Sequence, residues 1–114
     1  MLEIDIDNKK GFLFVKVSGE LNKKTIVKWD NDVKDLIIDN GVRNVVFDIS
    51  NLNNIDINGI KSLYYSYNIC RKNKGIAFLC GISSLIREKL NKSNILNYIN
   101  EVKDEKTILS IITL

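Results

Sequence analysis

The stretch Val45-Val46-Phe47-Asp48-Ile49-Ser50-Asn51-Leu52-Asn53-Asn54-Ile55-Asp56-Ile57-Asn58-Gly59 decides how the rest of the chain is read. Val45 to Ile49 is apolar except for Asp48, as expected of a strand near the centre of a sheet. The asparagine-rich segment that follows reads as a loop, and a helix starts around Asp56. The Asp56 carboxylate can accept from the free N–H groups of that helix's first turn. Gly59 falls within the turn, where the missing side chain leaves the backbone open to close approach. Strand ends that feed helix starts are where open α/β sheets hold their working residues. An ordinary capped helix has the same local pattern, so the neighbouring segments must separate the two readings.

Upstream, Leu2, Ile4 and Ile6 alternate with Glu3, Asp5 and Asp7, the period of a half-buried strand. Asn8-Lys9-Lys10-Gly11 reads as a turn and Phe12 to Val17 as a second strand, so the chain opens with an antiparallel hairpin. Ser18-Gly19-Glu20-Leu21-Asn22 breaks this strand and leads to a helix from Lys23 to about Asn40. Its apolar face is Ile26, Trp29, Val33, Leu36 and Ile37. Asn40-Gly41 is the stop signal. On that stripe Trp29 reads as core.

Downstream, Ile57 to about Asn73 forms a second helix, with Ile60, Leu63, Tyr64, Tyr67 and Ile69 or Cys70 facing inward. Arg71, Lys72 and Lys74 crowd its C-terminus, where cations favour the dipole. Ile76 to Cys80 is a strand, and a serine of Ser83-Ser84 caps a third helix over Leu85 to Asn91. Tyr98 to Val102 is extended, and Lys106 to Ile112 closes the chain as a helix. The expectation is one α/β domain over residues 1–114, with a small, mainly parallel mixed sheet, an N-terminal hairpin and about four helices.

Composition narrows the function. With 45% hydrophobic and 27% charged residues, this is the make-up of a globular protein. The acidic, alternating N-terminus is unlike a signal peptide, and no apolar run approaches the roughly 20 residues of a membrane helix. Both point to a cytoplasmic protein without membrane insertion. The 17 Lys and Arg are interleaved with 14 Asp and Glu, so the net charge of +3 forms no basic stripe for nucleic acid. The chain has no His, which removes imidazole catalysis and His-ligated metals. Cys70 and Cys80 form no CxxC pair and fall at opposite ends of the sheet, too far apart to bridge. No nucleophile elbow, phosphate-cradling loop or metal cluster stands out, so neither an enzyme nor a cofactor is expected.

Four segments together resemble the STAS domain, the fold of bacterial anti-sigma-factor antagonists. They are Ser18-Gly19-Glu20-Leu21-Asn22, Val45-Val46-Phe47-Asp48-Ile49-Ser50, Ile55-Asp56-Ile57-Asn58-Gly59-Ile60 and Gly81-Ile82-Ser83. In that family Asp-Ser-Ser-Gly or Asp-Ser/Thr-x-Gly opens the second helix. The hydroxyl after the Asp is phosphorylated by the partner anti-sigma factor, a serine kinase of histidine-kinase fold. The unphosphorylated antagonist holds the kinase; the phosphorylated one lets go. By resemblance, Asp56, Ile57, Asn58 and Gly59 occupy the motif, and Asn22 lies where many members carry a nearby Asp. With Asn54 they form the expected partner-docking surface.

Ile57 stands at the phosphoacceptor position and has no hydroxyl. The resemblance therefore implies an antagonist without that switch. An alternative is a STAS scaffold subunit in a lipid-transport or stress-signalling complex. Asp48, Asp5 and Asp7 also invite a phosphoacceptor receiver domain, but a receiver needs a helix between its first two strands where this sequence predicts a hairpin.

Overall fold

The computed structural model describes residues 1–112, and its first two strands, β1 (Leu2–Lys9) and β2 (Phe12–Leu21), form the antiparallel hairpin. Lys10 and Gly11 close it at positive φ (53° and 83°), the backbone required by a two-residue turn between twisted strands. Asn8 and Lys9, expected in the turn, instead stay in the ladder opposite Leu13 and Phe12. Next come α1 over residues 26–40, β3 (Asn44–Ile55), α2 (Ile57–Lys72) and β4 (Ile76–Cys80). The chain continues with α3 (Ser84–Ser93), β5 (Asn100–Glu101) and α4 (Glu105–Ile112). The five strands lie in sequence order, and every pair after the hairpin is parallel. The hairpin occupies the place where a receiver needs its first helix.

Strand alternation divides the side chains between two faces. Val15, Val17, Val45, Phe47, Ile49, Ala77 and Leu79 pack with α1, α2 and α3 in one large core. Phe14, Val46 and Cys80 point the other way, onto Ile108 of α4. Burial fades along the edge strand from buried Leu2 to exposed Ile6. Trp29 is core, as its stripe implied: its ring centroid lies 5.5 Å from that of Phe47. Its indole N–H donates to Ser66 Oγ at 3.4 Å, and Ser66 Oγ donates to the Ser62 carbonyl at 3.0 Å. The polar atoms that Trp29 brings inside are therefore partnered.

The largest departures from the sequence expectation lie at the strand ends. Gly19 does not break β2. At φ +97° it forms part of a bulged stretch with register shifts, and pairing resumes through Leu21. A Cβ on Gly19 would stand 2.1 Å from the Met1 carbonyl oxygen, so only glycine fits there. The asparagine-rich segment is not a loop either. Ser18 pairs with Asn51, Gly19 with Leu52, Glu20 with Asn54 and Leu21 with Ile55, extending β3 by six residues beyond Ile49 to Ile55. Weak β propensity gives way to pairing and to the burial of Leu52 and Ile55.

Three helices also differ from expectation. Residues 26–40 are not one regular helix: Asp30–Lys34 is π-helical between the α-helical segments Ile26–Trp29 and Asp35–Asn40. The wider turn keeps Trp29, Val33 and Ile37, spaced four apart, on one buried face. α3 begins with Ser84, capped by Ser83, and the extended piece 98–102 shrinks to Asn100–Glu101 after a 3₁₀ turn at Ile95–Asn97. Arg87 holds this short strand by a two-pronged ion pair to Glu101 (2.9 and 2.5 Å). α4 starts at Glu105, one residue earlier than expected, with Asp104 accepting from Thr107 N.

Cys70 and Cys80 are free thiols in cores on opposite faces of the sheet. Burial pushes Cys70 up to about 11 and, reinforced by the charges of Asp48, Glu105 and Asp104, Cys80 up to about 12. Both remain protonated at neutral pH. Because the large core closes on Trp29, Trp29→Ala should cost about 3–5 kcal/mol. Urea denaturation checks this: the midpoint should fall with an unchanged slope, and a midpoint near wild type would refute it.

Candidate functional site

The paired extension of β2 and β3 carries Leu21 and Ile55 to one rim of the molecule, where α2 begins. Asp56 is the residue between strand and helix. Its Oδ1 accepts from Gly59 N at 3.0 Å, which caps α2. Its Oδ2 accepts from Lys23 N at 3.0 Å, and its own N–H donates to the Leu21 carbonyl at 3.2 Å. One carboxylate thus ties the start of α2 to the segment leaving β2. Partial burial pushes the Asp56 carboxyl up, but hydrogen bonds from Gly59, Lys23 and Asn58 outweigh this and hold it below its ordinary value.

Gly59 explains why the joint closes. A Cβ there would lie 2.5 Å from the Leu21 carbonyl oxygen and 2.8 Å from Ile55 Cγ1. Gly59 is buried and contributes a close approach of helix to strand. Asn22 is part of the same joint: its Oδ1 accepts from Lys24 N (2.9 Å) and Thr25 N (3.1 Å), organising the entry to α1. Asn58 is half-buried beside Asp56. Asn54 points elsewhere, accepting from Ile55 N and from Lys89 Nζ on α3. Ile57 is left facing outward, 56% exposed.

From Ile57 a shallow apolar groove runs between α2 and α3, in residues that the sequence reading did not bring together. One hollow of about 310 Å³ is lined by Ile55, Asp56, Ile57, Ile60, Lys89, Lys92 and Ser93. A second, of about 270 Å³, shares Ile57, Ile60 and Ser93 and adds Lys61, Tyr64, Ile95 and Tyr98. Tyr64, expected in the core, is 38% exposed and meets Tyr98 edge-to-face at 5.5 Å between centroids. The sequence signal was the spacing of Ile57, Ile60, Lys61 and Tyr64 on one helical face. Among the described residues, no cluster of His, Cys, Asp or Glu could hold a metal ion, and no helix is long and apolar enough to cross a membrane.

The STAS domain family model matches residues 3–109. The chain belongs to the STAS domain family. Solved structures with the same fold include a Thermotoga maritima protein (TM-score 0.88, 12% identity, covering 97% of this chain and 95% of that one). An anti-sigma factor antagonist from Mycobacterium paratuberculosis has TM-score 0.86 and 17% identity over 100% and 96%. The Bacillus cell fate determinant SpoIIAA in its phosphorylated form has TM-score 0.74 and 14% identity over 96% and 99%. Within the STAS frame, Asp56 and Gly59 have folding duties of their own here, and Ile57 is the motif residue turned most fully outward.

Two variants separate those duties. Gly59→Ala should destabilise this STAS domain by about 1–3 kcal/mol, because the new methyl meets backbone at Leu21. An unchanged denaturation midpoint would refute the close approach. Asp56→Ala should cost about 0.5–2 kcal/mol at pH 7 through the lost cap. Because the folded-state carboxyl is held low, its stabilisation is complete above the unfolded value near 3.9 and drains as pH falls through the folded one. Wild type and variant should therefore converge in stability in acid, as read by urea melts across pH 2–7 (roughly the span of the titration).

Proposed function

We propose that this STAS domain is a protein-binding regulatory module that sequesters an anti-sigma factor, a serine kinase of histidine-kinase fold, with no phosphorylation switch at residue 57. The observation that carries the reading is Ile57, 56% exposed directly after the capping Asp56 and at the mouth of the groove. At that position the family carries the hydroxyl that its kinase phosphorylates. Fold likeness to an anti-sigma factor antagonist and to SpoIIAA supports the class. Ser62, the next hydroxyl in α2, is buried, and Ser50 lies back along β3.

The physical contrast is between charge and area. A phosphate here would bring about −1.5 to −2 charges into the contact. Ile57 brings apolar surface instead, worth roughly 1.5–3 kcal/mol when a partner buries it. The partner is therefore held through ATP turnover and released only by dilution or competition.

Incubating the full chain with its cognate anti-sigma kinase and Mg-ATP tests this. The complex should survive ATP without incorporating phosphate. Ile57→Asp should weaken capture by roughly tenfold or more, with the melting curve unchanged. Phosphate mapped to Ser50 with loss of binding, or equal capture by Ile57→Asp, would overturn the reading. Capture of transport-complex subunits in place of the kinase would favour the scaffold role.

A further inference from the structure

We propose that the groove between α2 and α3 receives an acidic amphipathic helix of the protein partner. This deepens the reading above and rests on it for the existence of a partner; the shape and charge of the groove select the helix. Ile57, Ile60 and Tyr64 recur along α2 at intervals of three and four residues, over about 10 Å of helix axis. Ile60 is buried at the floor, while Ile57 and Tyr98, 56% and 53% exposed, stand at the margins. That spacing suits two turns of a helix presenting apolar residues at i, i+3 or i+4, and i+7.

The walls favour a helix over an extended segment. The two long walls are α2 and α3, which satisfy their own backbone groups over most of their length, and β3 reaches the lining only at Ile55. A segment entering it must meet its backbone hydrogen bonds internally, as a helix does. The concave shape, with Ile60 recessed between exposed Ile57 and Tyr98, also suits a ridge-shaped occupant such as a helix better than a flat lipid surface.

Charge defines the occupant further. Lys61, Lys89 and Lys92 flank the groove, and among the described residues none of them forms an ion pair. Lys89 donates to the Asn54 carboxamide oxygen. The single carboxylate in the lining, Asp56, has both oxygens engaged by Gly59 N and Lys23 N. With three Lys against the one Asp56 carboxylate, the groove presents an apolar floor with an excess of positive charge spread over both helices, complementary to a helix with Glu or Asp beside its apolar stripe.

Two synthetic helical peptides of about sixteen residues, sharing one Leu/Ile stripe and flanked by Glu in one and Lys in the other, test the proposal against the isotope-labelled full chain by NMR. The Glu-flanked peptide should shift the amides of Ile57, Ile60, Lys61, Tyr64 and Ser93 and bind at least tenfold tighter than the Lys-flanked one. Lys61 and Lys92 are exposed, so the double variant Lys61→Glu/Lys92→Glu should fold normally. It should lose the Glu-flanked peptide and gain the Lys-flanked one, an exchange that simple unfolding could not produce. Equal binding of both peptides by wild type, or shifts centred on another surface, would overturn the proposal. Flotation with phosphatidylserine vesicles but no peptide binding would assign the patch to a membrane and likewise overturn it. Kinase capture by the double variant keeps the two readings apart. Undiminished capture sinks the groove proposal and leaves the antagonist reading standing. Peptide binding as predicted, with no kinase captured even by wild type, does the reverse.

Discussion

The site depends on the contact between the Leu21 carbonyl and the first turn of α2. That oxygen accepts the Asp56 N–H at 3.2 Å and lies so close to Gly59 that no Cβ could fit between them. Asp56 adds its own bonds to Gly59 N and Lys23 N. The end of one strand, the start of one helix and the entry to another are thereby fixed by a carboxylate and a missing side chain. What α2 presents to solvent follows from that fixed angle: Ile57 outward, Ile60 into the groove floor and Leu63 into the core.

The sheet supplies the platform for this joint. β2 and β3 pair beyond the part of the sheet where β4 ends at Cys80, through Leu52 and Ile55. The bulged stretch at Gly19 lets β2 follow β3 without a break. The helices α1 to α3 cover one face and α4 the other, so the rim where β2, β3 and α2 meet stays accessible.

Much of this was legible in the sequence because period and punctuation agreed. Alternation at Leu2 to Asp7, the stripe through Trp29, the stop at Gly41 and the Asp56 cap each named an element in its observed place. The misreadings share a cause. Ser50 to Asn54 and Ser18 to Leu21 look like loops one at a time, and become strand only because each gives the other a hydrogen-bonding partner. Gly59 was placed correctly as a point of close approach, but what approaches it, Leu21, lies 38 residues away in the chain. The groove was hidden for the same reason: Lys89, Lys92 and Tyr98 join Ile57 and Tyr64 only in three dimensions.

The outward-turned residue 57 has an evolutionary consequence. The bonds that set α2 in place run through the Asp56 carboxylate, the Leu21 carbonyl and the bare backbone of Gly59. None uses the side chain of residue 57. Selection can therefore change the character of residue 57 without retuning the scaffold, so the chemistry that this corner shows to solvent can vary by a change that leaves folding nearly untouched.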